Sequence, residues 1–384
     1  MLRFLTSGES HGPGLVTVVE GLPAGLPVST EALGAELARR RLGYGRGRRM
    51  EIERDELEIM GGVRFGATLG GPVAVVVRNT EWPKWREEMA PEPGGAARRR
   101  LTAPRPGHAD LAGMLKYDTH DARDILERAS ARETAARTVA GFLAKRLLDA
   151  VEISVVSHVV AIGEVSARAG EAPGSDDLDR VDTSPVRTLD SEAEAAMIAA
   201  IEAAHADRDT LGGVVEVLAY GVPPGVGSHV HWDRKLDGLL SGAVASIPAI
   251  KAVEIGDGGL VSRARGSAAH DEIGYSDGSF TRDTSRAGGI EGGVSTGETI
   301  RIRAAMKPLS TLMRPLATVD VDTKQPEQAL RERTDTCAVP AAAVVAEQMV
   351  AWVLASEIQR MFGGDTAGDL TGAARAYRER IARF

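Results

Sequence analysis

Residues 14–49 read GLVTVVEGLPAGLPVSTEALGAELARRRLGYGRGRR. Gly14–Glu20 is rich in valine, as strands are. Thr30 can cap a helix, and Leu33, Leu37 and Arg40–Arg41 follow at helical spacing, so a helix is predicted over 30–42. Gly43 ends it, and a basic loop follows. The chain has no G-x-G-x-x-G after a strand with an acid about twenty residues on, and no G-x-x-x-x-G-K-[ST]. A Rossmann dehydrogenase and a P-loop ATPase are both disfavoured. Six of the eleven residues Arg39–Arg49 are arginine, yet the chain carries a net charge of −8. Positive charge concentrated in an acidic protein suits a small, highly charged anion.

Working outward, residues 72–78 (PVAVVVR) read as a second valine-rich strand. A Trp/Pro/Gly/Arg-rich loop spans 79–104, and an alanine-rich helix is predicted over 130–150. Residues 151–164 read as a strand pair, followed by an acidic irregular stretch to 189. Further helices are predicted over 190–207, 235–247 and 340–362. Strands are predicted in 212–228, 252–255 and 299–305. Residues 256–289 are rich in Gly, Ser, Asp and Arg. With little apolar content, segments 79–104 and 256–289 are expected to be mobile. The residues after 362 read as an appendage. No low-complexity linker divides the chain, so residues 1–384 are expected to form one intertwined domain.

Of the 384 residues, 43% are hydrophobic, 26% charged and only 4% aromatic. Such a composition is globular, with a core built from Ala, Val, Leu and Ile. Arginine outnumbers lysine 39 to 7, a bias that a GC-rich genome also produces. Arginine placement, not number, therefore carries the argument. Cys337 is the only cysteine, which excludes an internal disulfide and a four-cysteine metal site, and fits a reducing cytoplasm. No H-E-x-x-H, C-x-x-C or EF-hand pattern occurs, and no metal site is expected. No apolar run of 18 residues and no secretory h-region are found, so neither a membrane span nor export is expected.

Two histidines stand in short Gly/Pro-bounded segments, GESHG (Gly8–Gly12) and PRPGHAD (Pro104–Asp110). A histidine near concentrated positive charge supplies a proton donor or acceptor near pH 7. The plain alternative for His11 is a solvated turn residue. Ser10 and His11 are not a nucleophilic dyad, because neighbours in extended chain point to opposite faces. In the second segment Arg105 and His108 are presented between prolines, and Asp110 can orient the imidazole. In ERASARETAAR, Ser130 and Arg132 open the long helix, where backbone N–H groups favour an anion. Ser130 with Glu133 also fits a capping box. One of Arg39–Arg41 can simply complement the helix dipole. Arg46, Arg48 and Arg49 lie beyond it, and guanidinium forks bind phosphate and carboxylate. Lys307–Thr311 (KPLST) offers a polar cradle. Arg333 and Asp335 in ERTDTC read equally as a surface ion pair. RNA binding is opposed by the acidic balance and by Tyr44 being the one aromatic near the basic loop.

Taken in order, these segments resemble chorismate synthase. The resemblance rests on LRFLTSGESHGPGLVTVVEGLPAG, RRRLGYGRGRRM, LGGPVAVVVRNTEWPKW, RPGHADLAGMLKY, ERASARETAAR, VEIGDG, SRAGGIEGGVSTG, AMKPLSTL and RTDTCAVPAA. It implies an α+β sandwich with helices between antiparallel sheets, assembled as a homotetramer. It also implies conversion of 5-enolpyruvylshikimate 3-phosphate to chorismate and phosphate, using reduced FMN without net redox change. By matching motif, His11 would protonate the leaving phosphate and His108 would serve the reduced flavin. Asp335 would help remove the ring proton, supported by Ser10. Arg40, Arg46, Arg49, Arg105 and Arg132 would hold substrate anions. Arg128, Ala129, Ser130, Pro248, Ala249, Gly292, Lys307, Pro308, Leu309, Ser310, Thr311 and Arg333 would surround FMN. The chain departs from the family pattern at Pro248 (usually Gln or Asn), Ala252 (Gly), Ser285 (Asn) and Thr334 (His or Ser). Two other readings stay open. One is a flavin reductase using NAD(P)H, for which no nicotinamide fingerprint exists. NADPH would otherwise act only as an external reductant. The other is a non-enzymatic anion- or RNA-binding protein.

Overall fold

The computed structural model describes residues 2–46, 56–93, 97, 100–168, 170, 172–276, 278–331 and 334–384. Arg48, Arg49 and Arg333 lie outside the described residues. A four-stranded antiparallel sheet is made of β1 (Arg3–Ser7), β2 (Gly14–Glu20), β3 (Glu56–Gly61) and β4 (Val73–Arg78), in the order β1-β2-β4-β3. Strand residues alternate between faces. Leu15, Thr17 and Val19 of β2 lie opposite Val77, Val75 and Val73 of β4, and all six are buried. A second antiparallel sheet is made of β5 (Ser154–Ile162), β6 (Val165–Ser166), β7 (Gly213–Tyr220), β8 (Ile250–Ile255) and β9 (Ile300–Met306), in the order β8-β9-β7-β5-β6.

The described helices of seven or more residues are α1 (Thr30–Arg41), α2 (Asp110–Tyr117), α3 (Arg123–Ala129), α4 (Thr134–Asp149), α5 (Ser191–Ala206), α6 (Leu236–Ala245), α7 (Val339–Phe362) and α8 (Ala367–Ile381), and α4 and α7 lie between the sheets. The long helices α4 and α7 pack on one another. On the outer side α4 meets β2, where Thr17 Oγ1 donates to the Ala136 carbonyl at 3.0 Å, and α7 meets β5 and β7. The two helices approach closely because the contact is alanine and glycine. A Cβ on Gly141 would lie 2.3 Å from Gln348 Cβ. Helix α7 is the one described helix long and apolar enough to cross a membrane, and 94% of its most apolar stretch is buried inside the protein. It is a core helix.

Charge is buried in this layer. Glu347 of α7 is fully buried and accepts from Arg39 of α1 at 2.7 and 3.1 Å, from Ser157 Oγ at 2.6 Å, and from Lys145 of α4. Burial pushes the Glu347 carboxyl up, but Arg39 and Lys145 outweigh it and hold it well below the carboxylate range. Arg187, also fully buried, pairs with Asp182 and donates to the Ser157 carbonyl at 2.9 Å. Desolvation pushes its guanidinium down to about 10.

Several sequence expectations change here. Ser29, not Thr30, caps α1, its Oγ accepting from Ala32 N at 3.1 Å. The helix predicted from Ser130 opens with a 3-10 turn, Ala131–Glu133, before α4. No capping box forms there, because Glu133 pairs with Arg137 instead. Residues 151–164 hold one long strand rather than a pair. Its mid-strand polar residues are held from neighbouring elements, Ser157 Oγ donating to Glu347 at 2.6 Å and His158 Nε2 lying 3.1 Å from Glu216, and the strand runs on through a bulge at Val159–Ala161. The C-terminal appendage is a helix, α8, with a Thr366–Asp369 capping box and Leu370 and Ala374 in the main core. Segment 79–104 contains a helical turn, Trp82–Trp85, and segment 256–289 contains a hairpin, Ile273–Ser276 with Ser279–Arg282.

Candidate active site

His11 follows β1 on a turn and is only 8% exposed, so it is not a solvated turn residue. Its Nδ1 lies 2.9 and 3.0 Å from the two carboxylate oxygens of Glu127, and its backbone N donates to Glu127 Oε2 at 2.8 Å. Glu127 comes from the last turns of α3, and Arg123, one turn earlier, donates to it at 2.9 Å. Trp85 stacks on the imidazole with ring centres 3.9 Å apart, and Arg123 lies 5.0 Å from the Trp85 ring centre. Ser10 N donates to the Glu127 carbonyl at 2.8 Å, and Ser10 Oγ lies 3.2 Å from Ser130 Oγ. Arg128 ties α3 to the same turn through the Gly8 and Thr6 carbonyls, at 3.1 and 3.0 Å. Ala129 ends α3, and Arg132 is half-buried one turn on. Arg40, 5% exposed, reaches Thr134 Oγ1 at 3.5 Å at the start of α4.

The second histidine repeats the arrangement. His108 Nδ1 lies 2.5 Å from Asp110 Oδ1, and Arg105 Nε donates to Asp110 Oδ2 at 2.8 Å. Asp110 is fully buried at the first position of α2. Desolvation pushes its carboxyl up, but hydrogen bonds from His108 and Arg105 outweigh that and hold it well below the usual range. Arg105 Nη1 donates to Thr311 Oγ1 at 2.9 Å, and Lys307 Nζ donates to the Gly107 carbonyl at 2.5 Å. Pro106, Gly107, Thr210, Lys307, Leu309 and Ser310 line a cavity of about 280 Å³ there, with Pro308 beside them. Helices α2 and α3 pack through Met114 and Leu126, so one helix pair carries the carboxylate partners of both histidines.

This cradle fits a phosphate. Its side-chain donors are cationic or hydroxyl. Gly107 has φ +78°, and a Cβ there would lie 3.2 Å from Lys307 Nζ. Burial, and then the charge of Lys251, lower the Lys307 pKa from its usual value, a repulsion that a bound anion relieves. Ala249, in the left-handed region at φ +70°, accepts from Lys307 N at 3.0 Å, with Pro248 half-buried before it. The cradle also connects to Asp335. Thr210 Oγ1 donates to the Leu309 carbonyl at 2.8 Å, and Leu211 N donates to the Thr336 carbonyl at 2.8 Å. Arg46 Nε lies 3.2 Å from Asp335 Oδ2. Gly292 stands on the hairpin Ile290–Ser295, whose Gly293 carbonyl accepts from Ser228 and Leu236 rather than from the other predicted residues. Of Arg39–Arg41, Arg39 is held in the core by Asp182 and Glu347. Sequence reasoning missed Glu127, Arg123 and Trp85. The first two lie in and just before ERASARETAAR, but nothing local pairs them with a histidine 116 residues away.

The family model for chorismate synthase matches residues 2–358. The chain belongs to the chorismate synthase family. The chorismate synthase of Salinispora tropica is 60% identical over 95% of each chain, and that of Acidothermus cellulolyticus is 58% identical over 99% of each. A crystal structure of chorismate synthase superposes with a TM-score of 0.81 at 38% identity, covering 100% of this chain and 99% of the other. The α+β sandwich is therefore the chorismate synthase fold. Chorismate synthases are lyases that catalyse the last step of the shikimate pathway.

Proposed function

We propose that this chain eliminates phosphate from 5-enolpyruvylshikimate 3-phosphate to give chorismate, with reduced FMN bound beside the substrate. The carrying observation is the pair of histidine–carboxylate–arginine sets, His11–Glu127–Arg123 and His108–Asp110–Arg105, joined by helices α2 and α3. In the reaction one C–O bond to phosphate and one ring C–H bond break, a ring double bond forms, and no net oxidation occurs. When bound, reduced flavin supplies electron density to the substrate and regains it. His11 gives a proton to the departing phosphate oxygen. A guanidinium cannot do so, because its pKa is too high. Arg40, Arg46, Arg49, Arg105 and Arg132 hold the substrate's phosphate and carboxylates. Asp335, beside Arg46, accepts the ring proton, with Ser10 in support. His108 serves the protonation state of the flavin.

Arg128, Ala129, Ser130, Pro248, Ala249, Gly292, Lys307–Thr311 and Arg333 form the flavin site in this reading. The Lys307–Thr311 cradle beside Gly107 takes the FMN phosphate. The cytoplasm is its compartment, and NADPH serves only as an external source of reducing power. The assembly is a homotetramer. Its support is the outer face of the first sheet, where Leu5 (73% exposed) opposes Val18 and Val16 opposes Val76, with no layer over them among the described residues. Light scattering tests it, and a monomer at micromolar concentration refutes it.

The deciding experiment is an anaerobic assay with dithionite-reduced FMN. Chorismate should form through many turnovers per flavin, without stoichiometric oxidation of reductant. One reductant oxidised per product, or no product, overturns the reading.

A further inference from the structure

Glu127 faces two ways. On one side it holds His11. On the other it lines an open cavity of about 530 Å³ whose further acids are Glu9, Glu87, Glu88, Glu92, Asp121 and Asp124. Like charges at this density disfavour an ionised carboxylate. Arg123 is the sole cation among the residues described around that cavity, and it bonds Glu127 itself, with Glu88 3.7 Å away. Burial pushes the Glu127 carboxyl up, but its bonds from His11, with Arg123 helping, bring it below its ordinary value. Trp85 covers the imidazole face and is in turn covered by Arg123.

We propose that Glu127 is the positioning residue of His11, fixing the proton on Nδ1 and aiming Nε2 at the leaving group, with Arg123 and Trp85 as its clamp. The inference rests on the reading of His11 as the proton donor. Its chemistry balances simply. The imidazolium loses its Nε2 proton to the phosphate oxygen and becomes the neutral Nδ1–H tautomer. That tautomer is the one Glu127 accepts from, so of the two neutral forms the carboxylate selects the one His11 reaches after transfer. The backbone bond from His11 N to Glu127 Oε2 fixes the carboxylate plane, and an amide at this position would turn its NH₂ toward one of the two donors.

The test uses the full chain with Glu127→Gln, His11→Ala and the double variant. In Glu127→Gln, kcat should fall on the order of 10²-fold, the scale of acid–base positioning, with KM within about threefold. In the His11→Ala background the same change should cost less than about twofold, because it acts only through the ring. Nitrogen-15 spectra of the labelled histidine, taken at a pH where the ring is neutral, should move from the Nδ1–H form toward a tautomer mixture in Glu127→Gln. Equal losses in both backgrounds, or an unchanged tautomer, overturn the proposal. If the wild type makes no chorismate, the reaction reading fails, and the tautomer comparison still decides Glu127. Should Glu127→Gln not fold, Arg123→Gln and Glu127→Asp replace it. Wild-type kcat and tautomer in both would overturn the proposal.

Discussion

Arg39 grips Glu347 with both terminal nitrogens of its guanidinium, joining α1 to α7 at the centre of the helical layer. Removing Arg39 leaves the buried Glu347 carboxylate with Lys145 as the one remaining cation that hydrogen-bonds it among the described residues. Arg39→Met should therefore destabilise the fold by about 3–5 kcal/mol, read by urea denaturation. Glu347→Gln should cost less, because it removes the charge but leaves Lys145 and Arg39 unmatched only in part.

The same pair sets an acid limit. Glu347 titrates below its ordinary value of 4.5 when folded. Its contribution is thus complete above about that pH and is lost as pH falls further, because the unfolded chain then binds the proton first. Wild-type stability should fall steeply below pH 4.5. A Glu347→Gln variant, though less stable at pH 7, should show a shallower acid slope.

Gly107→Ala should weaken FMN binding by on the order of tenfold while costing the fold about 1 kcal/mol, since both the positive φ and Lys307 oppose a Cβ. Gly363→Ala is the control. Its φ is also positive, at +66°, but a Cβ there meets nothing within 4 Å, and it stands at the end of α7, outside the proposed flavin site. Fluorescence titration of flavin should separate the two, and equal effects would count against the cradle.

His11→Ala and His108→Ala should each slow single turnover by on the order of 10²–10⁴ under anaerobic conditions. The His11 variant should lose least with a substrate carrying a better leaving group. The His108 variant should alter the spectrum of bound reduced flavin. Near-wild-type rates in both would remove the histidines from the mechanism.

The described residues of segments 79–104 and 256–289 are proposed to be mobile without ligands and ordered around them. Amide exchange in both should slow when FMN and substrate are added together. Trp85, stacked on His11, makes the first segment the more sensitive reporter. Unchanged exchange removes the proposal.

Much of the sandwich was legible locally. Valine-rich strands and alanine-rich helices announce themselves by period and composition, and β2, β4, α5 and α7 lie within a residue or two of where pattern places them. The short helices α2 and α3 were not, because eight and seven residues give too few turns for a period, and α2 opens with no side-chain cap. The site divides in the same way. His11, His108 and the arginines stand out as chemical types in unusual places. Glu127 does not. An acid on a helix is ordinary until the fold sets it 2.9 Å from an imidazole. Pairing of that kind is a tertiary fact, absent from any window of sequence.

The close fit of α7 against α4 and α1 has a consequence for how the protein is made. About 300 residues separate the end of α1 from the start of α7. At ribosomal speeds of about 5–20 residues per second, roughly 15–60 s pass between them. Throughout that interval Arg39 and Lys145 have no Glu347 to meet, and the inward valines of the first sheet have only part of their cover. The nascent chain must wait, half-assembled, for its own tail, and a synonymous codon change that slowed translation between the two helices would lengthen the period in which it can stick to its neighbours.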